Sequence, residues 1–265
     1  MLNGVRLKFT KLGKVRFTSH RDVARIFERS LRKASIPVAY TEGFSPRPKI
    51  AFGLALSTGH ESLAEYLDVS IHPDADIPVT DLPGRLSPAL PLGLDVVAAG
   101  TVQPGDASLQ EAVTSCTWRI EVPGWDLDDA DQHVAAALAA DELVLTRTRK
   151  GKEVTDDLRP AVLSLAVIGP SAWGVELVAE LATQPRGLRP SELLAVLSPT
   201  AVEGHVRRTA QWIARPDGAT VEPLATPDGL REEPSVVRDA PRTSGPTRHP
   251  VDPVERGGSP AVVSA

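Results

Sequence analysis

The chain is poor in the residues that build redox and metal chemistry. It has one cysteine, Cys116, in 265 residues. A single thiol excludes an internal disulfide, and it excludes a zinc or iron–sulfur site ligated by several cysteines of this chain. The expectation is a reducing, cytoplasmic compartment, with no metal and no cofactor. Long apolar runs are also missing. No stretch approaches the ~20 consecutive apolar residues of a membrane helix, so no membrane partner is expected. The opening segment, residues 1–10, lacks the apolar region of a secretory leader. Aromatic residues are few, with five Phe, four Trp and two Tyr, which limits stacking on nucleobases. There is no Walker loop, no glycine-rich dinucleotide fingerprint after a strand, no Gly-x-Ser-x-Gly elbow and no His/Asp spacing specific to a metal.

What is present is an ordinary globular composition, 42% hydrophobic and 24% charged, with a net charge of −5. The charge is unevenly placed. Residues 1–50 hold five Lys and seven Arg against Asp22, Glu28 and Glu42, whereas the other 215 residues hold 17 basic and 31 acidic groups. A basic block on an acidic chain suggests a face for a polyanion, or one that meets the acidic half of the same chain.

Patterning divides the chain into two α+β units and a tail. Residues 216–265 contain nine Pro, five Gly and no aromatic residue, and are expected to be disordered. Residues 100–108, with Pro104-Gly105, read as a linker. The folded units are then 1–102 and 113–215. In the first, Val5, Leu7 and Phe9 alternate with Arg6 and Lys8 as a strand that continues through Val15 and Phe17. Ser19 fits an N-cap with Asp22 three residues on. The helix at about 21–35 places Val23, Ile26, Phe27 and Leu31 on one face, and Arg21, Arg25, Arg29 and Arg32 on another. Strands at 50–56 and 66–71, a Pro-marked helix at 78–90 and a strand at 93–99 complete the unit. The second unit repeats the order: strand 117–122, helix 128–140, strands 142–147 and 161–168 paired around a charged hairpin, strand 174–181, helix 190–197 and strand 205–213. The four tryptophans are expected in the core. The architecture predicted is a tandem of ferredoxin-like βαββαβ units with antiparallel sheets.

Two loops around the first helix carry the chemical candidates. In Tyr40-Thr-Glu-Gly-Phe-Ser-Pro-Arg-Pro-Lys49, alternate prolines stiffen an extended path. Phe44 either stacks on a base or plugs the core. Arg47 and Lys49 would clamp phosphate, with Tyr40 beside them. His20, at the helix start, is either a general acid–base residue in RNA cleavage, helped by Arg16, Tyr40 or Lys49, or a brace for the helix end. Glu42, Glu61, Glu65 and Asp68 form a possible polar site. Glu61, Glu65 and Asp68 would hold a cation or pair with the arginines of the stripe.

Three segments carry a family resemblance: Val15-Arg-Phe-Thr-Ser-His-Arg-Asp-Val23, residues 37–53 around Gly-Phe-Ser-Pro-Arg-Pro-Lys, and Gly59-His-Glu-Ser62 with Glu65-Tyr-Leu-Asp68. They resemble the radical SAM-linked (radical SAM-associated) protein family, a bacterial domain of unknown function, over about residues 3–210. The resemblance implies a domain fused to, or encoded beside, a cobalamin-binding radical SAM protein, often near ribonuclease E/G and ribosomal protein genes. With one cysteine this chain cannot itself hold the radical cluster. The tandem reading is also similar to CRISPR repeat-processing ribonucleases, a fold-level analogy.

The resulting expectation is a non-catalytic RNA-binding or adaptor protein for RNA modification or processing. Its partners would be RNA and a radical SAM protein or ribonuclease E/G-type machinery. The alternatives are a metal-independent endoribonuclease using His20 and a protein–protein interaction module.

Overall fold

The computed structural model describes residues 3–224 apart from 73, 76 and 104. The alternation of Val5, Leu7 and Phe9 with basic residues yields β1 (Asn3–Lys11), followed by a 3-10 turn at Gly13–Phe17 and α1 (His20–Lys33). Next come β2 (Ile50–Phe52), β3 (Glu61–Ile71), α2 (Leu82–Leu86) between two 3-10 turns, and β4 (Leu94–Val102). A short α3 (Leu109–Ala112) leads to β5 (Ser115–Pro123), α4 (Leu127–Ala139), β6 (Val144–Arg149) and β7 (Lys152–Asp157). The chain ends in β8 (Val162–Pro170), β9 (Gly174–Ala182), α5 (Pro190–Leu197), β10 (Val206–Ala214) and β11 (Thr220–Val221).

The protein is thus mixed α+β, built on one large, mainly antiparallel sheet in the order β4-β1-β3-β10-β5-β9-β8, with β2 on β3 and β11 on β10. The first half contributes the order β4-β1-β3-β2 and the second β10-β5-β9-β8, with all neighbours antiparallel. A parallel contact joins the halves, Arg207 opposite Glu61 and Arg208 opposite Ser62. Because β1 occupies one edge of β3, β10 and β2 divide the other between them.

Two apolar cores lie along this sheet. In the first, Val5, Leu7 and Phe9 of β1 meet Val23, Phe27 and Leu31 of α1. Phe9, Phe27 and Phe52 form an aromatic trio, with the first two ring centroids 4.6 Å apart. Burying each large apolar side chain contributes roughly 1.5–3 kcal/mol. The second core gathers Ile120, Leu177, Leu193 and their neighbours.

Several expectations change. The first strand stops at Lys11, whose ammonium donates to the carbonyls of Arg16 and Thr18 and holds the following residues in the 3-10 turn. The second expected strand forms β2 over residues 50–52, and the Gly53 amide still donates to the Tyr66 carbonyl of β3; Leu54 and Leu56 leave the sheet and pack into the core of the second half. The 142–147 segment does not pair with the strand at 162–170. It closes on β7, because Lys150 and Gly151 both take positive φ and form a two-residue hairpin turn. Trp173 is exposed rather than in the core. The strand expected to end at 99 runs on to Val102, into the expected linker, whose Pro104 lies outside the described residues. The tail expected from residue 216 is ordered as far as 224: β11 pairs with β10, Glu222 binds Lys8, and Leu224 packs on Ala64, Tyr66 and Leu109. Residues 225–265 lie outside the described residues.

Candidate functional site

The Ser19 hydroxyl oxygen accepts a hydrogen bond from the Asp22 amide at 3.2 Å and starts α1 where the sequence places a cap. With Val23, Phe27, Ser30 and Leu31 turned inward, helical spacing sends Arg21, Arg25, Arg29 and Arg32 outward along one stripe, and all four are exposed. Arg25 pairs with Asp22 at 3.0 Å. Among the described residues, Arg21, Arg29, Arg32 and the exposed Lys33 form no ion pair.

The basic block is not all on this surface. Arg6 is held by Asp68 (2.8 Å) and Lys8 by Glu222 (2.7 Å). Lys11 is buried beneath the 3-10 turn, and burial lowers its pKa against the opposing pull of Glu65. Arg16 is half-buried, 3.8 Å from Glu61 and stacked on Phe17.

Six residues beyond Ala34, the 40–49 loop begins as a narrow hairpin. Tyr40 bridges Pro48, the Thr41 amide donates to the Arg47 carbonyl, and the Lys49 amide donates to the Ala39 carbonyl. Gly43 turns the tip with φ +125°. Phe44 stands fully exposed there, so it does not plug the core; Tyr40, Glu42, Arg47 and Lys49 are exposed as well.

Beneath the start of α1 lies a buried polar seam. Glu65 accepts from the Arg208 guanidinium, 3.1 Å from its Nε, and Arg208 also donates to the Leu54 carbonyl and lies over the Trp118 ring. Glu61 accepts from Arg207 (2.8 Å), His205 (2.9 Å) and the Gly13 amide (2.7 Å). Burial pushes the Glu61 carboxyl up, but the His205, Arg207 and Gly13 hydrogen bonds outweigh it and hold the pKa at about 2. His60 reaches Glu203 at 3.3 Å across the same join, while its Nδ1 is buried without a partner. Glu61, Glu65 and Asp68 do pair with arginines, but those of β10 and β1 rather than the α1 stripe, because β3 turns them toward its strand neighbours.

His20 is the first residue of α1, exposed, with its ring edge on Phe52 at 5.2 Å between centroids. It lines a small cavity with Lys11, Glu65, Phe9 and Phe52. At about 10 Å³ this space admits one water-sized group and no cofactor. Arg16, Tyr40 and Lys49, expected beside His20, do not line it; Lys11 and Glu65 do. Among the described residues no cluster of His, Cys, Asp or Glu could hold a metal ion, and no helix is long and apolar enough to cross a membrane. Cys116 is buried, and burial raises its thiol pKa against the opposing pull of Arg208. Sequence reasoning missed Lys11, Arg207, Arg208, His205 and His60. Lys11 reads as one more strand cation, and the partners of the others lie more than 140 residues away.

The family model that matches residues 5–190 describes an uncharacterized protein conserved in bacteria (DUF2344). The chain belongs to this family. No curated protein matches it. A crystal structure of an unknown protein from Galdieria sulphuraria is similar at 13% identity over 69% of this chain and 81% of that one, with a TM-score of 0.25.

Proposed function

We propose that this protein binds RNA through the α1 stripe and the 40–49 hairpin, as an accessory or adaptor subunit in cytoplasmic RNA modification or processing. Its enzyme partner in this reading is a radical SAM protein or ribonuclease E/G-type machinery, in keeping with the family resemblance. Each half is read as a ferredoxin-like βαββαβ unit, a reading supported by the two four-strand orders and their antiparallel neighbours.

The observation that carries the RNA reading is the exposed line of Arg21, Arg25, Arg29 and Arg32, three of them without an ion pair among the described residues. Such a line suits successive phosphates, and Phe44 at the tip of a stiff hairpin suits stacking on an unpaired base. The test is fluorescence anisotropy with labelled single-stranded RNA across a salt series. Binding weakens steeply with salt, and Arg25→Glu with Arg29→Glu abolishes it. Retained affinity in the double variant refutes the role of the stripe.

One observation favours a second reading, a metal-independent endoribonuclease: His20 stands at the mouth of a cavity lined by Lys11 and Glu65. Incubation with total RNA in EDTA decides it. Identical RNA patterns with wild type and His20→Ala end that reading.

A further inference from the structure

A groove of about 470 Å³ runs along the flank of α1, between Ile26, Arg29, Ser30 and Lys33 and the segment Ala89-Leu90-Pro91. Its floor is aliphatic. The one hydroxyl in it, that of Ser30, already donates to the Ala89 carbonyl at 3.0 Å. A nucleobase would find no aromatic face and no free side-chain hydroxyl there. An aliphatic side chain would find a matching surface. The rim is cationic: Arg29 and Lys33 stand one helical turn apart, both exposed and neither ion-paired among the described residues. Leu92, one residue beyond Pro91, is fully exposed.

We propose that this groove docks an acidic segment of a partner protein, with an aliphatic anchor on the floor and flanking carboxylates on Arg29 and Lys33. Charge complementarity selects the acidic partner, and the apolar floor selects the anchor. The proposal goes beyond the RNA reading and shares only Arg29 with it.

The probe is a fluorescein-labelled eight-residue peptide, two central leucines between glutamates, compared with the same peptide carrying serines in place of the leucines. The leucine peptide binds the full chain about tenfold tighter than the serine peptide, the difference that about 1.4 kcal/mol of apolar burial produces. Lys33→Glu and Pro91→Asp each weaken the leucine peptide at least about fivefold, whereas Arg21→Glu, at the far end of the stripe, leaves it unchanged. Equal binding of the two peptides, no binding of either, or an unaffected Pro91→Asp variant overturns the proposal. RNA anisotropy on the same variants keeps the two readings apart: Arg21→Glu lowers RNA affinity and Pro91→Asp does not. Loss of RNA binding in Pro91→Asp, with no change for the peptide, would make the groove part of the RNA surface and overturn the peptide proposal alone.

Discussion

Glu61→Gln tests how the two halves are held together. The Glu61 side chain is 6% exposed and is the shared acceptor for Arg207, His205 and the Gly13 amide. Its pKa stands at about 2 against an ordinary 4.5. That gap of roughly 2.5 units, at about 1.4 kcal/mol per unit, corresponds to about 3 kcal/mol of folding stability. The folded-state pKa is depressed, so the stabilisation is fully present above pH 4.5 and is lost as pH falls through about 2. Glutamine keeps the shape and removes the charge, leaving the Arg207 guanidinium uncompensated at the join. Urea unfolding followed by tryptophan fluorescence, at pH 7 and at steps down to about 2, measures wild type minus variant. The difference is about 3 kcal/mol at pH 7, shrinks between pH 4.5 and 2, and vanishes below that. A penalty that stays constant down to pH 2 refutes the electrostatic account, and no penalty at pH 7 removes Glu61 from the forces joining the halves. Arg207→Met, alone and combined with Glu61→Gln, isolates the pairwise coupling.

Further outcomes follow from local geometry. Ser19→Ala removes the cap of α1 and lowers stability by about 1 kcal/mol in thermal unfolding; an unchanged melting temperature refutes the capping role. Gly93→Ala places a Cβ against the Leu12 carbonyl at a φ of +94°, and costs more than about 2 kcal/mol on the same measurement. Phe44→Ala leaves the melting temperature unchanged, because the ring touches solvent only, while single-stranded RNA affinity falls by about 1–3 kcal/mol if the ring stacks on a base. Equal RNA affinity would place the hairpin tip outside the interface.

Much of the fold is legible in the sequence. The period-two alternation of Val5, Leu7 and Phe9 and the helical spacing of Val23, Phe27 and Leu31 each point at the core they enter. Pro190 marks the first residue of α5, and Ser19 marks the start of α1. The arginine stripe is equally legible, since helical periodicity and an inward apolar face leave it nowhere else to go. Less legible are strand lengths, because pairing depends on a neighbour. The expected strand starts at Tyr66, yet β3 begins at Glu61 once β1 and β10 flank it. Phe44 is neutral in the sequence: one aromatic between glycine and proline serves a core or a tip equally well, and the Tyr40–Pro48 bridge decides for the tip.

The amino-acid sequence alone determined what depends on near neighbours: the caps, the turn chemistry, the faces of α1 and β1, and the basic character of the first fifty residues. Tertiary structure alone decided which of those cations remain on the surface. Arg6 and Lys8 are spent on Asp68 and Glu222, while Lys11 is sealed under the 3-10 turn. It also decided that Glu61 and Glu65 meet Arg207 and Arg208 rather than the stripe, across separations of 146 and 143 residues. The physical reason is range. Helical and strand periodicities are set within a few residues, whereas an ion pair between distant strands exists only after β3 and β10 have been laid side by side.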